Sequence, residues 1–323
     1  MIKFKRIIIY LTGNSKKEKW RLKYTFGPVK SRRFGLSLGI DLSPDKKSCN
    51  FDCLYCELGK ADTVRTIENP PPPEEILKEV EEFISRHGYP DVLTITANGE
   101  PTLYPYLDRL IEGLNRIKGS SKTLILTNGS TIGSGRIRNL LKNLDMVKIS
   151  LDSALEGSFK KVNRPSDSVS LQEIIQGIKR FRQEFSGSLI IEILLVRNVN
   201  DSIQDIKALA EILREIKPDR VDIGTIDRPP AYRVKPLTDR ELFSIAGYFD
   251  GLPVNVVARQ TDGLEGKIRL SEEQIVSTLR RRPYTYEDIQ EVFDEETQKR
   301  VRQLIKKGIL REISVNNSTF ISP

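Results

Sequence analysis

Three cysteines carry the clearest chemistry in this chain. Cys49, Cys53 and Cys56 are its full complement, spaced C-x3-C-x2-C behind a polar stretch at 43–47. An odd, tightly clustered set is a poor disulfide framework, and it points instead to metal or cluster ligation in a reducing compartment. Thiolates are soft ligands that suit zinc or iron–sulfur clusters. A structural zinc site wants four ligands, and the chain's single histidine, His87, lies on a distant helical stretch. Three thiolates can hold three irons of a 4Fe–4S cluster and leave the fourth open to a ligand, whereas a purely electron-carrying cluster ordinarily has its fourth cysteine. A zinc-stabilised α/β binding protein stays open as a rival, distinguished by metal content.

Polar groups with further chemical potential recur downstream. Asn98-Gly99-Glu100-Pro101 combines a glycine, which lets backbone approach a ligand, with a carboxylate that accepts bonds from a cation. Thr127-Asn128-Gly129 and Ser150-Leu151-Asp152 follow, then Asn163-Arg164, Arg197-Asn198, Asn200 and Asp227-Arg228. Turn formation and helix capping are the competing roles for such residues.

These groups need elements that bring them together. Short β-branched runs at 35–42, 92–97, 123–127, 146–151, 189–196 and 220–226 read as strands buried on both faces. Amphipathic stretches at 74–86, 104–117, 135–144, 171–185, 202–216 and 239–249 read as helices; Ile76, Leu77, Val80, Phe83 and Ile84 keep the helical period. Six β/α units in series predict an α/β fold with a parallel sheet, doubly wound or curled into a partial barrel. Functional residues then belong in loops after the C-terminal ends of strands, which is where the polar motifs fall. Beyond 263–266 the pattern changes. Three short helices, the last at 295–307, precede a hairpin around Asn316-Asn317, an order that resembles a winged-helix domain. The expected organisation is a basic arm at 1–23, a main domain at 24–262 and a winged-helix-like domain at 263–323.

The cysteine triplet, with Tyr55 just before its last cysteine, resembles the defining motif of the radical S-adenosylmethionine (SAM) superfamily. The run from Gly27 to Leu42 resembles a subgroup related to the wyosine-forming tRNA enzymes. The resemblance implies a partial (β/α)6 barrel, a 4Fe–4S cluster on Cys49, Cys53 and Cys56, and SAM on the open iron. It further implies that the loop of Asn98, Gly99 and Glu100 receives the methionyl ammonium, with Asn98 in place of the family's first glycine. Asn128, Ser150 and Asp152 would line SAM, and Asn163 and Arg164 would lie near its carboxylate. The implied chemistry is one-electron cleavage of SAM to methionine and a 5′-deoxyadenosyl radical that abstracts hydrogen from a substrate, driven by a reductant such as a flavodoxin or ferredoxin. No cysteine remains for an auxiliary cluster, so methylthiolation, sulfur insertion and identity with the wyosine-forming enzymes are disfavoured.

Length and charge bound the rest. The 323 residues, 38% hydrophobic and 30% charged, read as a soluble protein with no signal sequence or membrane span, expected in the cytoplasm. The first 33 residues hold eleven Lys/Arg against Glu18 alone, so the net charge of +8 belongs to the N-terminus. That arm, and the cations Lys299, Arg300, Arg302, Lys306 and Lys307 on the 295–307 helix, lean the substrate reading toward RNA, with peptides and small molecules as alternatives. Arg32 and Arg33 are candidate phosphate ligands. The rival from another class is an iron–sulfur sensor that binds nucleic acid without catalysis.

Overall fold

The computed structural model describes residues 22–31, 34–257, 269–281, 283–315 and 318–323. Most of the basic arm, Arg32, Arg33, the 263–266 break and the Asn316-Asn317 turn lie outside them. Strand β1 (Thr25–Ser31) runs antiparallel to β2 (Gly35–Asp41). There follow α1 (Pro73–His87), β3 (Val92–Thr96), a 3-10 turn at Pro101–Leu103, α2 (Leu107–Ile117), β4 (Lys122–Thr127) and α3 (Gly135–Leu141). Next come β5 (Met146–Ser150), α4 (Glu156–Asn163), α5 (Leu171–Glu184), β6 (Ser188–Leu195), α6 (Ile203–Ile216), β7 (Arg220–Thr225), α7 (Asp239–Ala246) and β8 (Val254–Val256). The strands form one sheet in sequential order from β1 to β8, parallel from β2 onward. This is the expected partial barrel, with β1 and β8 added to the six strands read from sequence.

Helix α1 shows how the sequence builds each outer layer. Pro72 and Pro73 start it, Glu74 and Glu75 sit in its first turn where the helix dipole favours anions, and Gly88 ends it. Ile76, Val80 and Phe83 are buried against the sheet, each contributing about 1.5–3 kcal/mol by leaving water. Its buried Glu79 accepts from the Tyr24 and Thr25 amides and the Thr25 hydroxyl, which anchors the start of β1.

The C-terminal unit comprises α8 (Glu272–Arg281), β9 (Tyr284–Thr285), α9 (Tyr286–Val292), α10 (Glu295–Lys306), β10 (Arg311–Val315) and β11 (Ser318–Ser322). Its strands pair antiparallel in the order β10-β11-β9. Ile275, Leu279, Ile289, Phe293, Val301 and Leu304 make a core separate from that of the barrel, into which Val29 and Phe26 of β1 pack.

Candidate active site at the cysteine loop

The cysteines lie in the long loop after β2, at the C-terminal end of the parallel sheet. Three distant segments, and one bond within the loop, fix it through the backbone. The Ser48 amide donates to the Asn98 carbonyl at 2.8 Å, and the Glu100 amide donates to the Ser48 carbonyl at 2.9 Å. The Leu54 amide reaches Val162 of α4 at 2.9 Å, the Val64 amide donates to Cys49 at 2.8 Å, and the Ala231 amide donates to Cys56 at 2.8 Å. Gly99 has φ 144°, and a Cβ built on it would stand 1.8 Å from the Ser48 carbonyl oxygen. The close approach of the Ser48 backbone is therefore reason enough for a glycine here.

The three cysteines line one cavity of about 490 Å³ together with Tyr55, Asn98, Gly99, Glu100, Asn128 and Ser150. Donors are aimed at two of the sulfurs. Cys49 Sγ accepts from the Phe51 amide at 3.4 Å and from Asn128 Nδ2 at 3.7 Å; Cys53 Sγ accepts from Asn163 Nδ2 at 3.6 Å. Burial, and then the nearby Glu100 charge, push the Cys49 thiol up to about 12, and burial likewise raises Cys53. Sulfurs so placed become thiolates only beside a cationic centre, while the donors stabilise charge on sulfur once it forms. The donor set fits an iron–sulfur cluster on these three residues.

The carboxylates serve as struts. Glu100 is 1% exposed; its Oε1 accepts from the Thr102 amide at 2.9 Å and from the Thr102 and Thr127 hydroxyls at 2.6 Å, and its Oε2 accepts from the Asn128 amide at 2.7 Å. Glu100 thereby locks the β3 loop to the β4 loop. Asp152 accepts from Tyr55 Oη at 2.5 Å, Asn163 Nδ2 at 2.7 Å and the Leu194 amide at 2.8 Å. Burial raises its carboxyl to about 6 against these hydrogen bonds. Asp152 therefore organises Tyr55, two residues from Cys53 in sequence, and Asn163, which reaches the Cys53 sulfur from α4.

Arg164 does not line the cysteine cavity. It ends α4 in the left-handed conformation (φ 46°, ψ 58°), and its side chain leaves the cysteine cavity for a separate surface groove. There it pairs with Asp52 at 3.3 Å and lies 4.6 Å from the Tyr232 ring centre. Arg197 is likewise engaged, with Glu241, and buried Asn200 bonds the Val196 amide and the Asp152 carbonyl. His87 packs its ring 4.9 Å from Phe83 at the far end of α1, opposite the cysteine end of the sheet.

Sequence reasoning missed several participants. Asp41, buried at the end of β2, accepts from the Asn98 and Ser43 amides at 2.8 and 3.0 Å and so sets the Asn98 loop. An acid closing an apolar strand was the available signal. Asn50 accepts from Asn128 Nδ2 at 2.9 Å. Lys148 and Glu192 extend the cavity into the barrel lumen as an ion pair, with Asp222 at 4.0 Å from the Lys148 ammonium. On α10, Arg300 donates to the Leu270 carbonyl, and Lys307 just beyond it pairs with Glu272; Lys299, Arg302 and Lys306 are exposed.

Comparison with known proteins places this geometry in context. A family model described as the radical SAM superfamily matches residues 46–213. A UPF0026 protein of Helicobacter pylori strain J99 is 39% identical over 288 residues, 89% of this chain and 93% of that protein. A probable dual-specificity RNA methyltransferase RlmN of Thermotoga maritima is 29% identical over 52% of this chain and 50% of its own length. Among solved structures, TYW1 with a lysine-pyruvate adduct bound superposes with a TM-score of 0.50 at 21% identity, covering 66% of this chain and 72% of that one.

Proposed function

The chain belongs to the radical SAM superfamily, and on that premise we propose that Cys49, Cys53 and Cys56 hold a 4Fe–4S cluster with SAM beside it in the 490 Å³ cavity. The observation that carries the reading is the convergence of three half-buried cysteines on one polar cavity at the strand ends, with amide donors already aimed at sulfur. Bound there, the cluster would supply the electron that splits SAM into methionine and a hydrogen-abstracting 5′-deoxyadenosyl radical.

The chain's own residues have distinct tasks. The Ser48–Gly99 contact sets the cysteine loop against the Asn98 loop. Asn98 and Asn128 offer amides at the cavity wall, where a methionyl group presents its carboxylate and ammonium. Ser150, one strand from Glu192 in register, offers a hydroxyl to the ribose side. Asp152 holds Tyr55 and Asn163 in place, and the surrounding barrel restricts water access to a reactive centre. Electrons would come from a flavodoxin- or ferredoxin-type reductant.

For substrate, we infer RNA first. One comparison supports it through its name, that of an RNA methyltransferase, and the exposed cations Lys299, Arg302 and Lys306 on α10 offer a positive surface that suits phosphates. The test has two parts. Anaerobically reconstituted protein treated with dithionite should form 5′-deoxyadenosine from SAM and contain about four irons per chain; protein with iron but no 5′-deoxyadenosine would favour the sensor. Salt-sensitive tRNA retention that is lost on charge reversal at Lys299 and Arg302 supports RNA, and retention that ignores those changes removes this surface from the reading.

A further inference from the structure

Arg228 follows β7 and is 13% exposed in its side chain, yet it belongs to two bodies at once. Its Nε lies 3.2 Å from Oε2 of Glu57, the residue directly after Cys56. Its Nη1 donates to the carbonyl of Pro283, just before β9 of the C-terminal unit. Three residues on, the Ala231 amide bonds the Cys56 carbonyl at 2.8 Å. The β7 loop thus grips the end of the cysteine loop by backbone and side chain together, and the same guanidinium reaches the appended unit.

Beside this tie the two bodies leave a gap. A cleft of about 610 Å³ separates α8, through Glu272, Glu273, Val276 and Arg280, from Glu57 and Leu58. The cleft shares Asp41, Glu57, Leu58 and Asn98 with the cysteine cavity, so the two spaces adjoin across these residues. A planar guanidinium can serve two acceptors in fixed directions simultaneously, which an ammonium cannot reproduce.

We propose that Arg228 is a positioning residue that couples docking of the C-terminal unit to the setting of the cysteine loop at Cys56, and thereby lets that unit regulate SAM cleavage. The proposal rests on the radical SAM reading for its effect on SAM, but the coupling itself is a property of the fold. Displacing the C-terminal unit removes the Pro283 acceptor, and the guanidinium re-settles on Glu57 and Asp227, which lies 3.8 Å away. Cys56 then shifts with Glu57. Binding of a substrate to the C-terminal unit changes the same contact in the reverse direction.

The experiment compares Arg228→Met, Arg228→Lys, Glu57→Gln and the Arg228→Met/Glu57→Gln double variant, all full length and reconstituted. Hydrogen exchange of the 283–292 segment is read alongside the electron paramagnetic resonance of the reduced protein with and without SAM, and the rate of 5′-deoxyadenosine formation. Faster exchange at 283–292 is expected in Arg228→Met and also in Glu57→Gln, although the latter alters only the cysteine loop. The spectral response to SAM should change, with SAM cleavage altered about tenfold, a coupling within the usual range for residues in contact. Arg228→Lys should recover part of the effect, and the double variant should be no worse than Arg228→Met. Faster exchange with an unchanged SAM response would make Arg228 mere glue for the appended unit and overturn the proposal, as would wild-type behaviour in both readouts. If the wild-type protein forms no 5′-deoxyadenosine, the SAM reading fails while the exchange arm still decides the coupling.

Discussion

Gly99→Ala is the sharpest perturbation this site offers. The new methyl would stand 1.8 Å from the Ser48 carbonyl oxygen and 2.3 Å from its carbon, both backbone atoms that cannot swing aside. The residue would also have to hold φ 144°, a region that side chains disfavour by about 1–3 kcal/mol. Forcing extra volume into a packed contact costs about 1–3 kcal/mol. Moving Ser48 away endangers its hydrogen bonds to Asn98 and Glu100, at 2.8 and 2.9 Å, each worth about 1 kcal/mol net. One displacement relieves several of these terms, so they do not add; a loss of about 3 kcal/mol is expected, seen as a fall of about 1 M in the urea midpoint of the apo-protein. Because Ser48 adjoins Cys49, iron incorporation should fall as well. Gly157→Ala in α4 is the control, since nothing lies within 4 Å of its added methyl. A Gly99→Ala protein with the wild-type midpoint and full iron content would refute the claim that this glycine exists for the cysteine loop.

Glu100→Gln tests the strut. Four donors converge on the carboxylate, so a carboxamide must turn its NH2 toward at least one of them, and a loss of about 1–3 kcal/mol is expected in chemical unfolding; an unchanged midpoint would mean that the loops hold without it. His87, the single histidine, allows an unambiguous NMR titration. Burial, followed by the neighbouring Arg86 charge, lowers its basicity, so its midpoint should lie below the ordinary histidine range. The neutral ring is the form the fold prefers: its contribution is present above the ordinary value and is lost as pH falls through the folded-state value. A midpoint at or above the ordinary range would contradict this packing.

The strands β2 to β7 were legible because each is a short, β-branched run buried on both faces. Their order alone placed the polar motifs on one edge. Strand β1 was hidden by Gly27-Pro28, where the pairing register shifts between Phe26 and Val29; proline weakens any strand reading and is tolerated here at the sheet edge. Helix α4 was hidden by its length, since eight residues with Phe159 and Val162 as the buried apolar pair show little periodicity. That omission mattered, because α4 decides between neighbours. Asn163, its last residue, turns inward to Cys53, whereas the left-handed Arg164 turns outward to Asp52. Adjacent positions in a motif-like run therefore part company for a backbone reason that composition does not carry. Glu100 was found by its motif, but its hydrogen-bond load could be known only once β4 lay beside β3.

The barrel lumen shows the same separation of stability from function. Barrels of this kind ordinarily fill their interior with branched apolar side chains. Here Lys148, Glu192 and Asp222 occupy inward positions on three successive strands, and Arg220 adds a contact to Asp222 at 3.1 Å. Removing such charges from water costs several kcal/mol per ion, and apolar residues of similar size would often serve the fold as well or better. The ion pairs limit that cost without making the arrangement a stabilising one. Their location explains their presence: Lys148 and Glu192 line the cavity whose upper wall is the cysteine loop. The register sets Ser150 beside Glu192 and Glu192 beside Asp222, so the polar face is continuous from the Ser150 hydroxyl into the lumen. The apolar half of each strand holds the helices outside, and the polar half is committed to what the cavity receives.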